Sequence, residues 1–374
     1  MVGRQPGYEL TWSVMQVLHQ GGGAGSVTST LHLSLGLARA GLHLRFVCPP
    51  DSEVEALARA GGLEVHPLAL EPGQRRRNAV RLAALLDEHP VDLVNSQSAR
   101  DREALTWLGL TRRLPVPLVV TRRQMPLTFP LENWLASRVA RRVVAVSRSV
   151  GEALVRRGTP RDKLVVIPNG LVTARVDQPV QPATVEEWRA RIGWEPSRRT
   201  MGVVSRPKDQ QVVISALDHV RAPVRLVLAG VDPAGPLGRL GERVPERHAV
   251  VCLPFIANVR PLYELLELAL LPSRSEGLSQ SLLEAMALGK AVIASDSTGN
   301  QDLVTDRVDG RLVAPLAPRA WAEVIEELLA NPDAAGGLGA AARRTARVTF
   351  SLDRTVDRTA QLYRLLLDSS QGSQ

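Results

Sequence analysis

Two carboxylates, Glu276 and Glu284, stand with seven residues between them in the segment PSRSEGLSQSLLEAMA, residues 272–287. Glu276 falls in a loop after the apolar run LALL. Glu284 falls in a periodic apolar stretch that reads as a helix opening near Ser279. One helical turn then separates Gln280 from Glu284, about 5–6 Å along the axis. At the C-terminal edge of a parallel sheet, this places two carboxylates beside a helix N-terminus. Amides there can hold a diphosphate, and carboxylates accept hydrogen bonds from sugar hydroxyls. The plain alternative is a capped helix with surface glutamates.

Three further groups could share that chemistry. Arg206 and Lys208 follow the apolar run TMGVV, and Lys208 is one of only three lysines among 46 basic residues. Two cations past a strand end suit a phosphate, although solvated surface charge has the same appearance. Gly21, Gly22 and Gly23 follow the run VMQVLH and precede a helical pattern, a turn that lets backbone amides approach a ligand. No acidic residue closes a second strand about 20 positions on, so the dinucleotide fingerprint is incomplete. Arg122 and Arg123 end the run PLVVT, where guanidinium forks would bind a carboxylate or phosphate. Their plain reading is an ion pair with Glu132.

Other chemistries find no residues. No aspartates stand two apart to bridge a metal to a diphosphate, and the seven histidines show no HExxH or paired spacing. No GxSxG elbow occurs. No metal and no cofactor are therefore expected.

The elements that must position these residues are short apolar runs alternating with helical patterns. VMQVLH, LRFVC, VDLVN, PLVVT, RVVAVS and LVVIP read as buried strands of a first half. TMGVVS, VRLVLAG, AVVCLP, LALLPS, KAVIAS and GRLVAP read as those of a second. Such alternation predicts parallel sheets covered by helices on both faces, an α/β class. Between the halves, the Pro-, Thr- and Val-rich stretch 171–187 reads as a linker, with a helix over 185–192 opening the second half. A last helix over 353–367 carries an apolar stripe of Val356, Leu362, Leu365 and Leu366 and is expected to pack back on the first domain. With 374 residues, two domains are expected, 1–177 and 178–352.

Composition narrows the partners. Hydrophobic residues make up 44%, charged residues 22% and aromatics only 3%, so the cores must be built from Leu, Val and Ala. The net charge of +8 favours anionic partners. A nucleic-acid partner is not expected, because aromatics are few and no zinc-finger or RNA-binding motif occurs. Cys48 and Cys252 lie far apart in apolar runs and read as structural thiols of a reducing compartment. The N-terminus lacks a signal-peptide pattern and no stretch reaches the ~20 apolar residues of a membrane span, so a cytoplasmic location is expected. Trp134, Leu135, Arg138, Val139, Arg141 and Arg142 would form a basic, apolar helix. It could lie on an anionic membrane or pack on its own sheet, and the spacing leaves both open. Arg75, Arg76 and Arg77 read as a solvated loop cluster.

The segment EGLSQSLLEAMALGKAVIAS resembles the E-x7-E region of the family-four retaining glycosyltransferases (glycosyl transferases group 1), which have the GT-B fold. VVAVSRSVGEALVRRGTPRDKLVVIPNG is similar to that family's usual end of the first domain. Residues 202–208 resemble its diphosphate-binding segment, and 297–302 its GG-x-x-E turn, with Asp302 for Glu. The resemblance runs from about Val14 to Leu367. It implies two Rossmann-like domains facing across a cleft, the first for the acceptor and the second for a nucleotide-sugar donor. It implies that Glu284 grips the ribose, Glu276 meets the donor sugar, and Gly277, Leu278, Ser279 and Gln280 face sugar and diphosphate. Gly22 and Gly23 would complete donor binding, Arg206 and Lys208 would stabilise the leaving diphosphate, and Arg122 and Arg123 would lie on the acceptor side. Two departures stand out: Arg206 and Lys208 are closer together than is usual, and Arg122-Arg123 replaces a frequent histidine.

The expected activity is transfer of a sugar, with retained configuration, from a nucleoside-diphosphate sugar to a glycan or lipid-linked acceptor in bacterial envelope polysaccharide synthesis. The rivals are an epimerase or hydrolase of nucleotide sugars on the same fold, and a basic nucleic-acid-binding protein.

Overall fold

The computed structural model describes residues 12–23, 25–112, 114–126, 129–256 and 258–371. The chain divides into two compact units, one of residues 1–170 with 352–374, the other of 171–351.

In the first unit, seven strands follow in chain order: β1 (Ser13–Val17), β2 (His43–Cys48), β3 (Glu64–Pro67), β4 (Leu93–Ser96), β5 (Leu118–Arg122), β6 (Arg142–Ala145) and β7 (Leu164–Val166). They form one parallel sheet in the order β3-β2-β1-β4-β5-β6-β7. The second unit has β8 (Arg199–Val204), β9 (Val224–Ala229), β10 (Ala249–Leu253), β11 (Leu268–Leu271), β12 (Ala291–Ser295) and β13 (Arg311–Val313), again parallel, in the order β10-β9-β8-β11-β12-β13. In both sheets the order reverses beside the unit's first strand, between β1 and β4 and between β8 and β11.

The central strands are apolar along their length because helices cover both faces. Met15, Phe46, Val119, Val203, Leu226 and Ile293 are fully buried. Among the described residues, twelve of the thirteen strands coincide with the apolar runs of the sequence. The exception, β3, is a four-residue edge strand, EVHP, of which only Val65 is buried. With Glu64 and His66 beside Val65, this short edge strand carries no continuous apolar signal.

Three expectations change. The stretch between the halves is not simply a linker: Thr173–Asp177 is a helix, and the next runs over Pro182–Ile192. Arg75, Arg76 and Arg77 form the first turn of the Arg75–Glu88 helix, where Arg75 and Arg76 lie 4.7 and 5.0 Å over the Trp107 ring. The Leu352–Gln371 helix packs on the Gly25–Arg39 helix within the first unit. Its buried face is Val356, Leu362, Tyr363, Leu366 and Leu367, while Leu365 is 68% exposed. Helical phase explains the difference. Tyr363 lies seven residues from Val356 on the same stripe, and Leu365 points roughly 200° from Tyr363. The Tyr363 hydroxyl accepts from Gln16 Nε2 (3.0 Å) and Asn95 Nδ2 (2.6 Å), tying the last helix to β1 and β4. Burial pushes that phenol up to about 12.

Candidate active site

In the second unit the loops after β8 and β11 meet where the strand order reverses, the usual ligand position of an open α/β sheet. Asp209 joins them. Its Oδ2 accepts from the Arg274 backbone (3.0 Å), and its Oδ1 accepts from Arg274 Nε (3.1 Å). Gln210 stiffens the first loop by donating to Ser205 Oγ (3.0 Å) and to the Arg206 carbonyl (2.8 Å). So braced, Lys208 reaches the second loop, and its ammonium pairs directly with the Glu276 carboxylate. Glu276 is 11% exposed and Lys208 31%. Arg206 is exposed and has no ion pair among the described residues.

A third loop, after β12, holds Glu276 from behind. The Glu276 amide donates to the Thr298 carbonyl (3.1 Å). Ser297 Oγ donates to the Ser273 carbonyl (2.7 Å), and Asn300 Nδ2 donates to the Ser295 carbonyl (3.0 Å). Gly299 has φ +86° and presses so closely that a Cβ there would lie 2.3 Å from the Glu276 carbonyl oxygen.

Ser279 caps the Gln280–Ala287 helix, its hydroxyl accepting from the Leu282 amide (3.3 Å). Gly277 and Gln280 are half-buried, Leu278 and Ser279 buried. The helix N-terminus carries partial positive charge beside the Lys208–Glu276 pair. One turn on, half-buried Glu284 lines a cavity of about 430 Å³ with Val176, Gln181, Asn258, Arg260 and Tyr263. The Tyr263 hydroxyl donates to the Ser281 carbonyl (3.0 Å), and burial, reinforced by the charge of Glu284, pushes its phenol well up. Lys208, Glu276 and the helix start are thus one cluster, with Glu284 a turn further on. Asp209, Gln210 and Arg274, which brace it, were given no role in the sequence, where nothing separates them from other polar loop residues, whereas Asn300 belongs to the 297–302 turn marked by the resemblance.

In the first unit the corresponding reversal lies between β1 and β4. The glycine loop follows β1, with Gly23 at φ +68°; Ala24 lies outside the described residues. His19 precedes it, with its amide donating to Ser98 Oγ (3.0 Å) and its Nδ1 3.3 Å from Asp101 Oδ1. Asp101 is fully buried and accepts from Ser96 Oγ and from the amides of Gln97 and Ser98, each at 2.8 Å. Burial alone would raise its pKa, but the hydrogen bonds of His19, Ser98 and Ser96 hold it below the usual aspartate value. The Glu53 carboxylate sits against Gly22, where a Cβ would come within 2.7 Å of it. A carboxylate there repels phosphate, so the loop at Gly22 suits neutral hydroxyls better.

Arg122 and Arg123 are 7% and 9% exposed. Arg122 donates to Asn133 Oδ1 (2.7 Å), not to the neighbouring Glu132. Burial, then the charges of Arg102 and Arg157, bring it down to about 9. Arg123 donates to Gln97 Oε1 (2.8 Å) and to Asn169, its Nε has no hydrogen-bond partner, and burial brings it down to about 10. Both remain cationic at neutral pH, held by amides rather than carboxylates.

The Pro130–Val139 helix exposes Leu131 (63%) and Trp134 (43%) after an exposed Phe129 (76%). Arg138 lies 5.1 Å over the Trp134 ring. Among the described residues, no helix is long and apolar enough to cross a membrane. Cys48 is buried and its thiol is pushed up to about 12 by burial, while Cys252 is half-buried.

Comparison with known proteins agrees with this geometry. Residues 198–331 match the family described as Glycosyl transferases group 1, and residues 23–175 match Glycosyltransferase Family 4, together more than half of the chain. An alpha-maltose-1-phosphate synthase of Mycolicibacterium smegmatis is 28% identical over 363 residues, covering 86% of this chain and 92% of that one. The O-antigen chain mannosyltransferase C of Escherichia coli is 28% identical, over 67% of this chain and 68% of its own. The crystal structure of Anabaena HepE in complex with UDP-glucose superposes with a TM-score of 0.80 at 19% identity, covering 95% of this chain and all of that one. The matched segments include the strand-order reversal of the second unit, the loops carrying Arg206, Lys208 and Glu276 and the helix of Glu284, and the chain belongs to the group 1 glycosyltransferases of GT-B fold.

Proposed function

We propose that the protein transfers a sugar, with retained anomeric configuration, from a nucleoside-diphosphate sugar to a glycan or lipid-linked acceptor. The observation that carries this reading is the Lys208–Glu276 pair at the strand-order reversal, beside a capped helix start and one turn before Glu284. The Anabaena HepE structure is a complex with UDP-glucose, which supports a nucleotide sugar as donor.

On this reading Glu284 accepts hydrogen bonds from the ribose hydroxyls, and Glu276, at the loop, from the donor sugar. The bond between the anomeric carbon and the diphosphate oxygen breaks. The acceptor oxygen bonds that carbon on the same face, and the acceptor proton passes to the departing phosphate. Negative charge grows on the diphosphate. Arg206, Lys208 and the amides at Ser279 and Gln280 oppose it without a metal ion. Gly22 and Gly23 complete the donor's surroundings, while Arg122 and Arg123 serve the acceptor side.

The likeness to an O-antigen chain mannosyltransferase favours envelope polysaccharide as the pathway. Exposed Phe129, Leu131 and Trp134, with Arg138, support peripheral contact with an anionic membrane. Cosedimentation with anionic and neutral vesicles checks that contact.

The central test is a thermal-shift panel of UDP, GDP, ADP and their sugars, followed by product analysis with the stabilising donor. A retained anomeric configuration in an acceptor-dependent product is expected. Turnover of the donor sugar with no acceptor requirement would refute transfer in favour of an epimerase or hydrolase.

A further inference from the structure

Far from the glutamates in sequence, the first unit gathers a second set of chemical groups at its sheet edge. Glu64 and His66 stand two apart on β3, so their side chains leave the same face of the edge strand. His89 is the C-cap of the Arg75–Glu88 helix, and its ring lies 4.1 Å from that of His66. One ligating atom from each of Glu64, His66 and His89 lies within 4.8 Å of the other two. His66 Nε2 is 2.8 Å from Glu64 Oε1. His43, opening β2, places its Nε2 2.9 Å from the other carboxylate oxygen, while its Nδ1 faces Ser13 Oγ at 3.2 Å. Two histidines thus meet the Glu64 carboxylate directly, and a third, His89, lies within 4.8 Å of the group with its Nε2 3.7 Å from Glu88 Oε1.

Ion pairing alone accounts poorly for this gathering. Arg45 already answers the charge of Glu64, its Nε lying 3.1 Å from Oε1. Two imidazoles in ring contact, here tilted by 46°, repel once both are protonated. As neutral rings, they offer two nitrogen lone pairs beside a carboxylate oxygen. That donor set suits a borderline divalent metal such as zinc, and not magnesium or calcium, which require oxygen ligands. The spacing is near what is needed. An ion centred among atoms 4.8 Å apart lies about 2.8 Å from each, against zinc–imidazole bonds of about 2.0–2.1 Å. Side-chain rotation of under about 1 Å closes that gap. The side chains of His66, His89 and Glu64 are 14%, 28% and 38% exposed, which leaves an entry path and room for a water ligand.

We infer that Glu64, His66 and His89 form a zinc-class metal site, with His43 orienting the carboxylate from outside. The ion would clamp β3, bonded to the sheet on one side only, to the end of the Arg75–Glu88 helix. It is a structural staple of the first unit and does not depend on the donor chemistry of the second.

The test uses untagged full-length protein, stripped with a chelator and titrated calorimetrically with Zn²⁺, with Co²⁺ as a spectroscopic probe. One ion per chain is expected, with visible Co²⁺ bands and a raised melting temperature. His66→Gln and His89→Gln should each weaken binding at least about tenfold. Near-isosteric Glu64→Gln should do the same with little change to the fold. His219→Gln, at an exposed histidine of the second unit, should leave affinity unchanged. Nucleotide-induced stabilisation, measured on every variant, confirms that each is folded. No uptake by the wild type, or uptake that all three ligand variants leave intact, would overturn the assignment.

Discussion

Gly299→Ala is the sharpest perturbation of the proposed donor site, because Gly299 touches Glu276 only through backbone. Its φ of +86° disfavours any L side chain, at a cost of about 1–2 kcal/mol. The new Cβ would also lie 2.3 Å from the Glu276 carbonyl oxygen, 2.6 Å from its carbon and 2.8 Å from its Cβ. Ordinary contacts begin about 3.4 Å apart, so the two backbones must part by about 1 Å. The Glu276 amide bond to Thr298 cannot absorb that shift, since Ser297 and Asn300 anchor the same turn. A displacement of about 1 Å in a positioned group costs about 10²-fold in turnover. The expected result is a fall of that order in kcat, a melting-temperature loss of a few degrees, and nucleoside-diphosphate affinity within a few-fold of wild type. Steady-state kinetics, calorimetry and a thermal melt read the three quantities. Full turnover in a folded Gly299→Ala protein would refute the view that this turn positions Glu276 for the reaction.

Three further outcomes are expected. Glu284→Gln should weaken free nucleoside diphosphate and donor alike, by about 1–3 kcal/mol, whereas Glu276→Gln should mainly lower kcat; equal losses of nucleotide affinity in calorimetry would reverse the assignment. Asp101→Asn should destabilise the first unit by about 2–3 kcal/mol at neutral pH. Because the Asp101 pKa is depressed on folding, its contribution is complete above the ordinary aspartate value of about 3.9 and fades as pH falls toward the lower folded value. Urea melts from pH 7 to pH 3 should therefore show the gap between wild type and variant closing in acid, and a constant gap would contradict this. Arg123→Met should reduce turnover of an anionic acceptor more than that of a neutral one if this buried, carboxylate-free guanidinium faces the acceptor side. Equal losses, accompanied by a lower melting temperature, would assign Arg123 to holding Gln97 and Asn169 alone.

Most of the twelve strands recognised in the sequence were legible because a strand buried on both faces must be apolar at nearly every position, a signal local to a few residues. The E-x7-E segment was legible for a similar reason, since loop, cap and first helical turn are contiguous. Short edge strand β3 and the phase of the last helix escaped this reading. Val65 alone is buried in β3, and Tyr363, which anchors the last helix through Gln16 and Asn95, is a polar-tipped residue in a stripe read for aliphatics.

Pairing across the chain was decided only by the tertiary structure. Lys208 meets Glu276 across 68 positions because the sheet sets β8 beside β11, and no spacing rule encodes that adjacency. The histidines, scattered when read along the chain, converge for the same reason. β2 and β3 are neighbours in register, with Arg45 opposite Glu64, and the helix before β4 ends over them. Composition and periodicity specify which faces must be buried. Which distant polar groups then share a surface depends on strand order, and strand order is set by the packing of whole sheets and helices.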